Sequence, residues 1–126
     1  MTIKEFNNKW LEIFARDVSK QDIDAAVLCF GGLLWHVFSY ELIPKDSYLE
    51  KEKAREAFDK IEWKKAIYIL PFEENAETKK LTLDLQTAES LDQFEEIYVV
   101  ANDFSWTYIK THENDWGLGP YFKTNK

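Results

Sequence analysis

The sequence predicts an α+β fold in which helices pack on a mixed β-sheet of about four or five strands. Three observations support this prediction. Residues Ile97–Phe122 contain two apolar, strand-like runs and an aromatic tail, apolar residues near the N-terminus recur at helical spacing, and Leu33–Phe72 has the pattern of a strand, a helix and a strand. The 126 residues suit a single domain over 1–126 that can bury a sizeable core.

The first predicted helix runs from Ile3 to about Val18. Thr2 and Glu5 have the spacing of a capping box, in which two side chains satisfy the unpaired amides at a helix start. The apolar residues at helical spacing are Ile3, Phe6, Trp10, Ile13 and Phe14. The next segment, Ser19–Gly32, fits either a short helix capped by its polar residues or part of two strands joined by glycines, and we favour the helix.

A central strand is predicted over Leu33–Glu41, because both of its alternating faces are largely apolar. A second capping box, at Ser47 and Glu50, predicts a helix that ends near Lys60 or Ile61. Another strand is predicted over Ala66–Phe72. Because a strand, a helix and a strand follow one another, we expect a right-handed parallel crossover.

The segment before the hairpin is more polar. Glu73–Lys80 has the composition of a loop, Leu81–Leu85 alternates like a short strand, and Thr87–Glu96 is predicted to be helical. The side chains expected to face inward from this helix are Ala88, Leu91 and Phe94.

An antiparallel hairpin is predicted from Ile97 to Ile109, with Asn102-Asp103 as a two-residue turn that tolerates positive φ. Aromatic residues at alternate positions of its second half are expected to share one face over the core: Phe104, Trp106 and Tyr108. The tail is expected to cover a sheet edge with large apolar groups: Trp116, Tyr121 and Phe122.

Composition limits the classes of function. The single Cys29 cannot form an internal disulfide, and its apolar surroundings predict a buried, reduced thiol in a cytoplasmic protein. Neither a signal peptide nor a long apolar span is visible, so no membrane association is expected. The net charge of −7 argues against nucleic-acid binding, which needs a basic patch.

Four segments of the chain carry a resemblance to a known family: WHVFSYE at Trp35–Glu41, EAF at Glu56–Phe58, IYVVANDFSWTYIKTHE at Ile97–Glu113 and GPYF at Gly119–Phe122. In this order they resemble a bacterial family of small proteins, domain of unknown function 4275. The middle of the chain departs from that pattern, with Lys53–Arg55 where a Gly is expected and Ala66 where a Cys is expected. The resemblance implies a bacterial, intracellular, single-domain protein. It implies no activity, so no catalytic residue is carried over.

The acidic residues are unevenly distributed. Between Leu81 and Ile109 there are six acidic residues and no Lys or Arg. A helix packed through Leu91 would turn several of these acidic side chains outward together. Their combined negative potential would attract a basic partner and speed its association. The residues predicted to bind a basic protein partner are Glu89, Asp92, Glu95, Glu96 and Asp103.

The two histidines are the other candidates for chemistry. If the strands that hold them are neighbours, His36 and His112 could converge, and a nearby carboxylate would complete a set for a divalent metal. That candidate ligand or metal set is His36, His112, Glu113 and Asp115. The spacing matches no known metal motif, so a core histidine is the competing interpretation for His36, and no cofactor is predicted.

Two hypotheses follow. The first is a non-catalytic interaction protein of the bacterial cytoplasm whose acidic face binds a basic partner, by analogy of size and charge with immunity proteins. The second is a small metal- or ligand-dependent enzyme centred on His36, His112 and Glu113. The first ranks higher, because the catalytic set is sparse and the charge asymmetry is plain in the sequence.

Overall fold

The fold is a six-stranded antiparallel sheet with helices packed on both faces, described by a computed structural model for residues 1–28 and 31–125. The strand order is β1-β6-β5-β4-β2-β3, and every neighbouring pair is antiparallel. The strands are β1 Leu49–Glu50, β2 Ala66–Ile69, β3 Lys79–Lys80, β4 Ile97–Ala101, β5 Trp106–Lys110 and β6 Tyr121–Thr124.

Five α-helices and three 3₁₀ turns are present among the described residues. The α-helices are α1 Ile3–Phe14, α2 Lys20–Ala26, α3 His36–Ser39, α4 Lys51–Asp59 and α5 Ala88–Leu91. The 3₁₀ turns are Lys45–Ser47, Leu83–Leu85 and Asn114–Trp116. No helix in the described ranges is long and apolar enough to cross a membrane.

One face of the sheet is covered by α1, α2 and α3. The indole of Trp10 packs edge-on against Phe38 and donates a 2.9 Å hydrogen bond to Thr107 Oγ1 of β5. The sheet contributes side chains from four strands to this core: Ile69, Tyr98, Val100, Ile109 and Tyr121. Because large rings fill this layer, it buries much apolar surface per residue.

The opposite face is covered by α4, α5 and the 3₁₀ turn Leu83–Leu85. Phe58 of α4 stacks on Tyr108 of β5, with ring centroids 4.5 Å apart. The other members of this core include Ala54, Leu85, Leu91, Ile97, Val99 and Phe122. Alternate residues of β4 therefore serve the two cores, which explains why all of its residues are buried.

The N-terminal predictions are largely confirmed. The capping box of Thr2 and Glu5 is present, although α1 ends at Phe14 rather than near Val18. Ser19 caps α2, which confirms a helix over part of Ser19–Gly32. The predicted burial of Cys29 falls outside the described residues.

The predicted central strand over Leu33–Glu41 is wrong. His36–Ser39 is the short helix α3, and Trp35, Val37 and Phe38 are all buried within the first core. A run that is apolar on every side is typical of a fully buried helix as well as of a buried strand, so alternation did not distinguish them. The parallel crossover is wrong as well, because β2 pairs antiparallel with β4.

Several boundaries also differ from prediction. The helix expected from Ser47 begins at Lys51, because Ser47 Oγ donates to the Pro44 carbonyl and Leu49–Glu50 pairs with β6. Leu81–Leu85 holds a 3₁₀ turn rather than a strand. The sheet has six strands rather than four or five, and none of its pairs is parallel. The two edge strands, β1 and β3, were not predicted because two residues are too few to show a periodic pattern in the sequence.

The helix predicted over Thr87–Glu96 covers only Ala88–Leu91. Thr87 forms a capping box with Ser90, and a tight turn from Phe94 N to the Leu91 carbonyl follows the helix. Ala88 and Leu91 are buried as predicted.

The hairpin is confirmed, but its turn is longer than predicted and spans residues 102–105 between β4 and β5. Phe104 adopts φ 57° in that loop and packs against Phe6, on the face opposite to Trp106 and Tyr108. The expectation of one aromatic face is therefore wrong for Phe104.

The tail covers an edge by becoming a strand. Tyr121 and Phe122 lie in β6, between β5 and β1, and are buried. Trp116 is 82% exposed, so its predicted covering role is wrong.

Candidate functional site

The most unusual polar group in the described chain is the carboxylate of Glu96, which is 3% exposed and accepts four hydrogen bonds. Oε1 accepts from Trp35 Nε1 at 3.0 Å, from His112 Nδ1 at 2.8 Å and from the His112 backbone N–H at 3.1 Å. Oε2 accepts from the Tyr98 hydroxyl at 2.7 Å. A buried carboxylate is tolerated only with such complete pairing, so these donors define the site.

Strand register brings these groups together. Glu96 immediately precedes β4, so its side chain shares a face with Tyr98 two residues on. Ile97 pairs with Lys110, which places the residues just after β5 beside Glu96. His112 therefore reaches the carboxylate from the neighbouring strand end, and Trp35 reaches it from the start of α3.

The two ring nitrogens of His112 have different hydrogen-bonding roles. A carboxylate can only accept, so Nδ1 carries the proton that it donates to Glu96, and Nε2 of the neutral ring is an acceptor. The ring lies between Trp35 and Phe72, with centroid distances of 5.7 and 5.3 Å. About a third of the side chain, 31%, is open to solvent, and Nε2 lies 3.9 Å from Glu113 Oε2.

Tyr98 and Glu96 form a second fixed contact in the site. Burial, and secondarily the charge of Glu96, raise the pKa of the Tyr98 phenol well above its usual value. The hydroxyl therefore stays protonated and acts as a hydrogen-bond donor to Oε2.

The two histidines lie on the same indole but have different partners. Both rings meet Trp35 edge-on, at centroid distances of 4.6 Å for His36 and 5.7 Å for His112. His36 Nδ1 lies 2.6 Å from the Ala26 carbonyl, as a core histidine would, whereas His112 Nδ1 binds Glu96.

Of the remaining members of the candidate ligand set, only Glu113 makes a contact with a histidine that the structure records among the residues it describes. Glu113 is beside His112 Nε2, while Asp115 is in the 3₁₀ turn Asn114–Trp116. Across 1–28 and 31–125, no group of three or more His, Cys, Asp or Glu side chains is placed to hold a metal ion.

The predicted acidic face is divided. Glu96 was expected to point outward, and this is wrong because the side chain is buried under Trp35 and Tyr98. Asp92 is exposed but makes a bidentate pair with Arg55, at 2.7 and 3.0 Å. Asp103 lies beyond the other end of β4, a five-residue strand that spans roughly 16 Å at about 3.3 Å per residue.

Four of the five residues predicted to bind a basic partner are exposed: Glu89, Asp92, Glu95 and Asp103. Glu89 and Glu95 are both exposed, one in α5 and the other in the turn before β4.

A small cavity of about 180 Å³ adjoins the Glu96–His112 pair. It is lined by Leu70, Phe72, Glu73, Phe94, Glu95 and Glu96. Phe72 borders both the cavity and the His112 ring, so the two share a wall.

Sequence reasoning missed Glu96, Trp35 and Tyr98 as members of this site. The contact between Tyr98 and Glu96 could have been predicted, because side chains two residues apart at the start of a strand point to the same face of the sheet. The contact with Trp35 spans 61 residues and depended on recognising α3.

These features define a class: an α+β protein whose antiparallel sheet is covered on both faces and carries a buried carboxylate–histidine pair at one end. The chain belongs to the family described as Domain of unknown function (DUF4275), whose model matches residues 3–122. This confirms the resemblance in the sequence. No curated protein and no solved structure matches the chain.

Proposed function

We propose that this protein is a small enzyme that performs acid–base chemistry through His112, oriented by Glu96. The observation that carries the proposal is the 2.8 Å hydrogen bond from His112 Nδ1 to a fully buried Glu96 carboxylate. A general base needs a fixed ring and a defined tautomer, and a buried carboxylate on one nitrogen supplies both. The other nitrogen, Nε2, does not face Glu96, and the His112 side chain as a whole is 31% exposed.

Each residue has a role in this proposal. His112 Nε2 takes a proton from a water or hydroxyl that attacks the substrate, and the imidazolium returns that proton to the leaving group. Glu96 stabilises the imidazolium, while Trp35 and Tyr98 are positioning residues because they hold Glu96. Glu113 is close enough to Nε2 to affect which substrates can approach. The adjoining cavity of about 180 Å³ favours a small substrate.

A panel of small chromogenic esters, amides and phosphoesters tests this function. Turnover that depends on the site should fall about 10²–10⁴-fold in His112→Gln. Trp116→Ala is the matched control, because that indole is 82% exposed and lies outside the Glu96 hydrogen-bond set. Equal turnover in wild type and His112→Gln, with both proteins folded, would contradict the proposal.

Binding of a basic protein in a bacterial cytoplasm is the second candidate. It is supported by the exposed Glu89 and Glu95 and by the net charge of −7. Replacing both with Gln should slow association with a basic partner and weaken its salt dependence. The control is Glu12→Gln on α1, an exposed carboxylate outside the acidic segment. An on-rate unchanged by the double substitution would remove this candidate.

A further inference from the structure

A groove of about 780 Å³ lies between the segment that precedes β2 and the segment that follows β3. Its rim carries two large apolar side chains in water, Trp63 at 72% and Leu83 at 75% exposure. Leu81 and Ala66 line its floor. The volume lies within the usual range for small-molecule sites, about 300–1,000 Å³.

The two walls of the groove are tied together by hydrogen bonds. Gln86 Oε1 accepts from the Lys64 backbone N–H at 3.2 Å, and Gln86 Nε2 donates to the Thr82 carbonyl at 3.2 Å. Leu81 N donates to the Ala66 carbonyl at 2.9 Å along the floor. One glutamine side chain therefore holds both walls, so the groove is formed before any ligand arrives.

The charge of the lining is opposite to that of the chain. Three lysines, Lys64, Lys65 and Lys80, border the groove with one carboxylate, Asp84. Asp84 accepts a hydrogen bond from Thr82 Oγ1, and the Lys64 ammonium donates to the Ile61 carbonyl. Lys65 and Lys80 are the exposed cations at the rim of a protein whose net charge is −7.

We propose that this groove binds a small amphipathic anion, an apolar ring that carries one acidic group. The ring lies between Trp63 and Leu83, because exposed apolar side chains on a pre-formed groove gain most from covering an apolar ligand. The acidic group faces Lys65 and Lys80, which supply charge-assisted hydrogen bonds. The groove shares no residue with the Glu96–His112 pair, so ligand binding in the groove and the proposed enzyme activity can be tested independently.

The probe is 8-anilinonaphthalene-1-sulfonate, an aromatic anion whose fluorescence rises in apolar sites. Wild-type protein should bind one molecule saturably, with a Kd on the order of 10–100 μM for a ligand of this size. 1-Naphthoate should displace the probe, whereas 1-naphthylmethylammonium should not, because the rim is cationic.

Matched variants locate the site. Trp63→Ala and Lys80→Glu should each weaken binding about ten-fold, and Leu83→Ala should weaken it less. Trp116→Ala removes an equally exposed indole elsewhere, and Lys4→Glu makes the same charge change on α1, so both should bind like wild type. Circular dichroism of every variant checks the fold.

Four results would overturn the proposal. One is the absence of saturable binding below about 1 mM. Another is unchanged affinity in folded Trp63→Ala together with Lys80→Glu. The third is displacement of the probe by the cationic analogue as well as by 1-naphthoate. The fourth is tight binding of an acidic Phe-containing peptide where 1-naphthoate fails to bind, which would assign the groove to a peptide.

Discussion

The two ends of strand β4 each carry a carboxylate from the same acidic segment, and they behave in opposite ways. Glu96, just before the strand, is 3% exposed and accepts hydrogen bonds from three residues. Asp103, two residues after it, is exposed, and hydrogen bonds from the Ser105 side chain and backbone within its own turn lower the pKa of its carboxyl. The partners that lie within reach, rather than the charge itself, determine what each carboxylate does.

The two ends of β4 also differ in the number of structural elements that they connect. The Glu96 end joins α3, β4 and the residue two positions after β5, so a change there affects three elements. The Asp103 end orders a four-residue loop in which Phe104 packs against Phe6. We therefore expect substitution of Glu96 to lower the free energy of unfolding strongly and substitution of Asp103 to lower it only slightly.

The largest expected effect comes from Glu96→Ala. It leaves the buried donors of Trp35 and Tyr98 without their acceptor, and removing one partner of a buried network costs about 3–5 kcal/mol. Asp103→Ala is the matched change at the other end and should lower the free energy of unfolding far less, because an exposed carboxylate contributes little to stability. Urea unfolding of both variants measures the contrast. Equal losses for the two would show that the ends do not differ as described.

Trp35→Phe should have the next largest effect. The substitution keeps an aromatic ring but removes the indole N–H that donates to Glu96 at 3.0 Å, so the free energy of unfolding should fall by about 2 kcal/mol. Trp116→Phe, at the 82% exposed tryptophan, should change it by less than about 0.5 kcal/mol. A similar loss in both would mean that the hydrogen bond contributes nothing.

Tyr98→Phe should change how stability depends on pH. The pKa of Tyr98 is raised in the folded protein above its ordinary value of 10.0 by burial, so the unfolded chain loses this proton first. The stabilisation from protonated Tyr98 is complete below about pH 10 and is lost as pH rises toward the folded value.

The measurement for that prediction is urea unfolding at several pH values from 7 to 11. Above pH 10 the wild-type stability should fall more steeply than that of Tyr98→Phe, by up to about 1.4 kcal/mol per pH unit. Parallel curves for the two proteins would contradict the assigned role of Tyr98.

The smallest expected effect is that of added metal ions. His112 Nε2 and Glu113 Oε2 are 3.9 Å apart and offer two ligands, which gives weak binding. Zinc, nickel or manganese should therefore shift the melting temperature by less than about 2 °C. A larger rise that disappears in His112→Gln would establish a metal site and favour the metal-dependent form of the enzyme hypothesis.

The hairpin and the N-terminal helix could be predicted because their signals are local. Thr2 with Glu5 fixes a helix start within one turn, and Ile97–Val100 has the β-branched and aromatic side chains that suit a sheet. Leu33–Glu41 could not be predicted in this way. Its structure depends on being buried among distant residues, and a run whose two alternating faces are both largely apolar carries no period that separates a helix from a strand.

The site was only partly predictable for the same reason. His112 was recognised as a candidate because histidines are few, and the structure places it with a carboxylate. Glu96 was assigned to an exposed face because the predicted helix was taken to extend five residues beyond Leu91, where α5 ends. Ending that helix at Leu91 places Glu96 at the start of a strand, where its side chain turns inward beside Tyr98.

The tautomer of His112 tests the central claim most directly, namely that buried Glu96 orients this ring. Long-range ¹H–¹⁵N correlation spectra of ¹⁵N-labelled protein at a pH where the ring is neutral distinguish a protonated Nδ1 from a protonated Nε2. We predict that His112 carries its proton on Nδ1 in the wild-type protein and becomes a mixture of tautomers in Glu96→Ala. A His112 that is protonated mainly on Nε2 in the wild-type protein, or a tautomer unchanged in the folded variant, would contradict the account.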